Sequence, residues 1–335
     1  MLDQSLPIII LFVGSFICAN LLIKVLIVPL SKFGMIDVPG ARRAHKIATP
    51  RGGGLAISLT IMIIGPLFEY TMTKSFDYSA KAFPPFFLIS LISFLDDVRA
   101  IPVLIRFVVH LMCTASVVYN FMYPSLLLHY DLPISLILTL AVMGLTAYLN
   151  IYNFLDGIDG ITAAQSIHLS ATILLLCYLK SDVITHLKFI VVVATLICAC
   201  SLSFILFNWP PAKIFLGDVG SISLGFLIGL CLLIIAAASE RLFISATIAS
   251  LYYIADGGLT ILIRLLNREK IWQPHLKHFF QKAVKKGMSH KQVVKRVISC
   301  NFALMILSVS TLYTPLISLF LAMIIVAIIL IKFSR

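Results

Sequence analysis

A chain of 335 residues that is 60% hydrophobic and only 12% charged, with mean hydropathy +1.05, is not a soluble domain, where about 25% of residues carry charge. The pattern is that of a polytopic, all-α membrane protein embedded in the lipid bilayer. The net charge of +12 matters less than where the cations sit, and no nucleic-acid partner is expected.

The first residues, Met1 to Ser5, include Asp3 and no Lys or Arg, and no small-residue cleavage site follows the apolar run. The first helix therefore reads as a retained span. Apolar windows predict about eleven helices (ten if two merge), where a crossing needs roughly 17–25 residues. They fall at 6–30, 53–70, 82–95, 102–119, 133–149, 161–179, 187–207, 221–238, 242–263, 294–311 and 313–332. The third is short. The seven cysteines lie almost wholly inside apolar runs, as small packing residues rather than a disulfide framework.

Lys and Arg sort the loops into two sets. Odd-numbered loops hold seventeen and even-numbered loops five, and residues 264–296 alone supply ten. By the positive-inside rule the odd loops face the cytoplasm, the N-terminus lies outside and the C-terminus inside. Seven of the fourteen Asp and Glu fall in the same odd loops, so one face of the membrane gathers the ionisable groups. The expectation is a single transmembrane catalytic domain, 1–335, with active-site loops 31–52, 96–101, 150–160, 208–220 and 264–296.

Loop one carries His45 and then Arg51-Gly52-Gly53-Gly54 before a helix. Consecutive glycines there expose backbone N–H groups at the positive end of the helix dipole, which suits a phosphate or diphosphate. Loop three holds Asp96 and Asp97, whose mutual repulsion calls for a metal, Arg99 or a shared proton. Residues 150–160 contain Asn150, Asn153, Asp156 and Asp159. The last three recur every third residue, close to one face of a helical turn. Loop seven brings Asn208, Lys213 and Asp218, the last between glycines, where it caps the following helix or ligates a metal. In loop nine, His275 and His278 share one face if helical and suit a phosphate, and the basic run behind them suits an anionic lipid surface or a polyanionic substrate.

Many carboxylates and cations without a thiolate or an obvious nucleophile suit a hard cation, such as magnesium, shared with substrate phosphates. Phosphoryl transfer on a nucleotide diphosphate fits that inventory. No Walker pattern is present.

Asp96-Asp97, the Asn150-x-x-Asn153-x-x-Asp156-Gly-x-Asp159-Gly160 run, Phe215-x-Gly217-Asp218-x-Gly220-Ser221 and the loop-nine histidines occur in this order. Together they resemble the signatures of the bacterial polyprenyl-phosphate N-acetylhexosamine-1-phosphate transferases. His45 with Pro50-Arg51-Gly-Gly-Gly54 matches too. The resemblance implies transfer of a sugar-1-phosphate from a UDP-sugar to undecaprenyl phosphate, with release of UMP and magnesium or manganese as cofactor, and is compatible with a homodimer. It makes Asp96, Asp97, Asp218, His275 and His278 catalytic, with Asp218, Asp156 and Asp97 around the metal. His45, Arg51, Asn150, Asn153, Asp156, Asp159, Asn208 and Lys213 then bind substrate.

The sparse histidine run Pro274-His275-Leu276-Lys277-His278 looks closer to the branch that begins O-antigen and other surface glycans than to the peptidoglycan branch. N-acetylglucosamine and 6-deoxy sugars such as N-acetylfucosamine or N-acetylquinovosamine stay open as cargo. The phospho-N-acetylmuramoyl-pentapeptide reaction is the alternative. A secondary transporter for an anionic solute is the rival from another class, and it would use mid-membrane acids, of which Asp256 is the clearest.

Overall fold

The computed structural model describes residues 5–33, 35–37, 48–126, 133–270, 273 and 275–335. Its helices in chain order are α1 (Ser5–Lys32), α2 (Gly54–Thr73), α3 (Asp77–Val98), α4 (Val103–Leu126), α5 (Ile134–Phe154), α6 (Ile161–Leu179) and α7 (Leu187–Asn208). There follow α8 (Asp218–Ala238), α9 (Glu240–Ala249), α10 (Leu251–Leu266), α11 (Phe279–Lys285), α12 (His290–Ser310) and α13 (Pro315–Ser334). Among the described residues ten helices are long and apolar enough to cross a membrane, and eleven if α9 and α10 count as one bent span. The chain is an all-α polytopic membrane protein. A two-residue antiparallel ladder, β1 (Ile36–Asp37) with β2 (Thr49–Pro50), precedes α2.

The bundle is built around α8. Its central window is 94% buried, against 22% for α1, and α2, α3, α4, α5 and α9 all pack against it. Small residues permit this. A Cβ at Gly54 would stand 2.1 Å from the Cα of Gly220, so the starts of α2 and α8 touch backbone to backbone, as small residues allow in membrane bundles.

Two elements differ from the apolar-window reading. The third span is not short: α3 runs 22 residues, past Pro84 and Pro85. Its polar first turn is capped by Glu69 of α2, whose carboxylate accepts from Tyr78 N and Ser79 N, both at 2.8 Å. Hydropathy misses that turn because its cap comes from another helix. The ninth span is not continuous either; α9 and α10 meet at Ser250 with a bend of 71°. The break frees the carbonyl of Ala249, which accepts from His168 Nε2 at 3.0 Å, so the interrupted helix leaves no unpaired group at that carbonyl. Beyond the break α10 is polar inward and apolar outward. Asp256, Thr260 and Arg264 are buried, while Leu259, Leu262 and Leu266 are exposed.

Candidate active site

The site forms where the segment before α2, the end of α3 and the start of α8 meet. Gly52 N and Gly53 N donate to Phe215 O at 3.2 and 2.9 Å, Gly54 N donates to Leu216 O at 2.8 Å, and Phe215 N returns a bond to Pro50 O. The expectation that these glycines offer free N–H groups to a phosphate is therefore corrected. All three donors are spent on the loop before α8, because only glycine lets the two backbones come so close. The effect is to deliver Arg51. Its Nε lies 3.3 Å from Asp97 Oδ1, and its Nη2 donates to the Asp97 carbonyl at 2.6 Å.

Asp97 is the cap of α8. Its Oδ1 accepts from Asp218 N and its Oδ2 from Val219 N, both at 3.0 Å. Gly217 turns the chain at φ +76°, and a Cβ there would lie 2.6 Å from Asp97 Oδ2. Asp218 thus opens α8 without capping it. Its own carboxylate projects toward Arg106, with Oδ2 3.5 Å from Nη1, and keeps 26% side-chain exposure. Asp96 accepts from Ile101 N at 2.7 Å and pairs with Arg106 Nη1. Arg99, the cation next to the pair in sequence, is exposed instead. Arg106 was missed because it lies inside an apolar run. The signal was the tight turn at residues 99–102, which folds α4 back so that its first turn meets the end of α3.

The 150–160 segment does not form one helical face. α5 ends at Phe154, so Asn150 and Asn153 are helical, while Asp156 and Asp159 lie in the loop that ends at Gly160, φ +79°. Asn150 Nδ2 donates to Thr146 O, and Asn153 Oδ1 accepts from Ser221 Oγ, each at 2.7 Å. The two carboxyls part. Burial pushes Asp156 up to about 7, opposed by a hydrogen bond with Thr162 and reinforced by the charges of Asp97 and Asp159. Burial acts the same way on Asp159, but His290 and the Ala212 N–H outweigh it and hold that carboxyl below its ordinary value. Asp159 Oδ2 accepts from Ala212 N at 3.1 Å, and its Oδ1 lies 3.3 Å from His290 Nδ1 at the start of α12. Asn208 clamps the same loop: Oδ1 accepts from Gly160 N at 2.8 Å and Nδ2 donates to Ile214 O at 2.9 Å. Lys213 is exposed.

His45 lies outside the described residues. His275 and His278 meet with ring centroids 4.8 Å apart, but ahead of α11 rather than on a helical face. Burial, then His278 and Arg264, push His275 down to about 4, so it is a neutral ring at pH 7. His278 is buried, with Nδ1 3.4 Å from Asp256 Oδ1. Asp256, fully buried, accepts from Phe279 N at 2.9 Å and Phe280 N at 3.1 Å. The acid that an ion pathway would need is the cap of α11.

Among the described residues no three His, Cys, Asp or Glu side chains form a ready cage for a metal. The donor set that remains is oxygen: Asp218, whose side chain is partly open, and Asp156, which feels the charge of Asp97. That fits a hard cation, which takes one or two carboxylates and completes its shell with water and substrate phosphate.

Residues 81–236 match glycosyl transferase family 4. The chain is similar, at 28% identity over 99% of its length and 92% of the relative's, to a probable undecaprenyl-phosphate N-acetylglucosaminyl 1-phosphate transferase of Bacillus subtilis. It is also similar to phospho-N-acetylmuramoyl-pentapeptide-transferases. That of Orientia tsutsugamushi is 32% identical over 48% of this chain and 47% of its own, and that of Chlamydia abortus 29% over 51% and 48%. The chain spans about half the length of these last two. The matched segment contains the α3 carboxylates, the 150–160 loop and the start of α8, the parts that meet at the site. On these grounds the chain resembles glycosyl transferase family 4 through residues 81–236, the segment that holds most of the site.

Proposed function

We propose that this protein transfers a sugar-1-phosphate from a UDP-sugar to undecaprenyl phosphate, making undecaprenyl-diphospho-sugar and UMP. The observation that carries the reading is the convergence of Asp96, Asp97 and Asp218, with Arg51 and Arg106, on the start of α8. The reaction joins two anions, so it needs positive charge where phosphates meet and oxygen donors for a cation. A phosphate oxygen of the lipid attacks the β-phosphorus of the donor. A new P–O bond forms, the bond to the bridging oxygen breaks, and that oxygen leaves with UMP.

Asp218 and Asp156 would hold magnesium or manganese, which would supply Lewis-acid polarisation of the diphosphate when bound. Both oxygens of Asp97 accept backbone N–H bonds, which makes it a poor nucleophile and supports direct displacement over a phospho-aspartate. Its role is to hold α8, and with it Asp218, in register. Arg51 and Arg106 neutralise the phosphates. Lys213, Asn153 and the neutral His275 face the donor, and Asn208 and Asp159 act by fixing the loop that carries Lys213. The cation count of the loops supports a cytoplasmic site in a bacterial plasma membrane. N-acetylglucosamine is the first sugar to try, by similarity to the Bacillus subtilis relative.

The test is to incubate purified protein with undecaprenyl phosphate, magnesium and a panel of UDP-sugars and to follow UMP. Release with one donor or a small group is expected. No UMP from any donor would overturn the assignment.

A further inference from the structure

One feature is not used by this chemistry. Between α12 and α13 a groove of about 650 Å³ opens to the outside, with Arg296, Lys332 and Arg335 at one end and Ile325, Ile328 and Ile329 along its floor. It sits at the same end of the bundle as the site, since His290 at the head of α12 reaches Asp159. It faces another way, however. The inward stripe of α12 is Val293, Val294 and Val297, whereas Arg296 is exposed.

Three observations define what fits. No Asp or Glu occurs between Lys270 and Arg335, and no ion pair among the described residues engages the three cations. The charged side chains that line the groove are therefore all cationic, in a protein with net charge +12. The floor is apolar and open, with Ile328 48% exposed. Finally, Ile325 lies ten residues before Arg335 on one helix, about 15 Å at 1.5 Å per residue. That is about half of a ~30 Å hydrocarbon layer. A cluster of cations at the membrane surface above an apolar channel one leaflet deep is complementary to an anionic headgroup with its acyl chain.

We propose that this groove is a binding site for an anionic phospholipid of the surrounding bilayer, separate from the catalytic site. The phosphate sits among Arg296, Lys332 and Arg335, and an acyl chain runs over Ile328 and Ile329 toward Ile325. The bound lipid pins α13 against α12 at the end where α11 also packs on α13.

The experiment is native mass spectrometry of the full chain released from detergent, titrated with phosphatidylglycerol and, separately, with phosphatidylcholine. Wild-type protein should retain one phosphatidylglycerol with about tenfold preference over phosphatidylcholine, because cations at the membrane surface favour an anionic headgroup. R296Q/K332Q/R335Q should lose that preference. I328W, which fills the floor and keeps all three cations, should lose it as well. If the triple variant does not elute as a single species, K332Q and I328W decide the outcome by the same readout. Equal retention by variants and wild type would overturn the proposal, as would equal retention of the two lipids. Displacement by equimolar undecaprenyl phosphate would assign the groove to the acceptor instead, and appearance of a dimer in place of the lipid adduct would assign it to a second copy. Either result overturns the proposal.

Discussion

Asp97 and Asp256 are built alike and placed differently. Each is a buried carboxylate that uses both oxygens on two successive backbone N–H groups at the start of a helix, α8 for Asp97 and α11 for Asp256. Capping of this kind satisfies donors that the helix itself leaves over and sets a negative charge at the positive end of the dipole. Around Asp256 stand Tyr252, His278 and the first residues of α11, and it has no exposed surface. Around Asp97 the neighbours are Arg51 and the partly open Asp218. The same device therefore closes one helix end off from solvent and at the other stands beside a carboxylate, Asp218, that stays partly open. A buried acid in a membrane protein does not by itself mark function; what stands beside it does.

The comparison can be broken by substitution. Asp218→Asn keeps the shape of the α8 start but removes the open carboxylate. Turnover should fall by about a hundred- to a thousandfold with an unchanged melting temperature, read from UMP release and a thermal scan side by side. Asp97→Asn replaces one acceptor by a donor that faces a backbone N–H. It should lower both turnover and stability, the latter by about 1–3 kcal/mol. Asp256→Asn should cost a similar amount of stability, but its remaining folded fraction should turn over as wild type does. Equal specific activity of folded Asp97→Asn and Asp256→Asn protein would erase the distinction drawn above.

Acid sharpens the contrast at the 150–160 loop. The carboxyl of Asp159 is held below its ordinary value of 3.8, so its tie to His290 and Ala212 contributes stability above that value. The contribution is lost as pH falls through the lowered folded pKa. Hydrogen-exchange protection of residues 155–160, taken relative to the intrinsic rate at each pH, should fall on acidification below about pH 4, and His290→Gln should flatten that dependence. Protection that does not respond to pH in wild-type protein would remove the tie. The smallest expected effect is at Arg99→Gln. The side chain is exposed and Asp96 uses Arg106 instead, so turnover should stay within about twofold, as for a surface change. A large loss there would return Arg99 to the site.

Much of this was legible before any fold was known. Hydropathy located every long helix, because crossing a hydrocarbon layer demands a run of apolar residues whatever the neighbours are. The spacing of Asp96, Asp97, Asp156, Asp159 and Asp218 marked the loops that converge. What periodicity could not resolve was partnership. Asn153, Asp156 and Asp159 look like one helical face only if the helix continues, and it stops at Phe154. The glycines before α2 look like an anion nest only if nothing else takes their N–H groups, and Phe215 and Leu216 do.

Composition and order alone, then, determined an all-α membrane bundle, since that property follows from transfer free energies summed residue by residue. Tertiary structure decided which acid is open and which is consumed. It capped α8 with Asp97, α3 with Glu69 and α11 with Asp256, put Arg106 rather than Arg99 beside Asp96, and bent the ninth span at Ser250. A side chain's hydrogen-bond partner depends on distances between helices far apart in sequence, and local pattern carries no record of them.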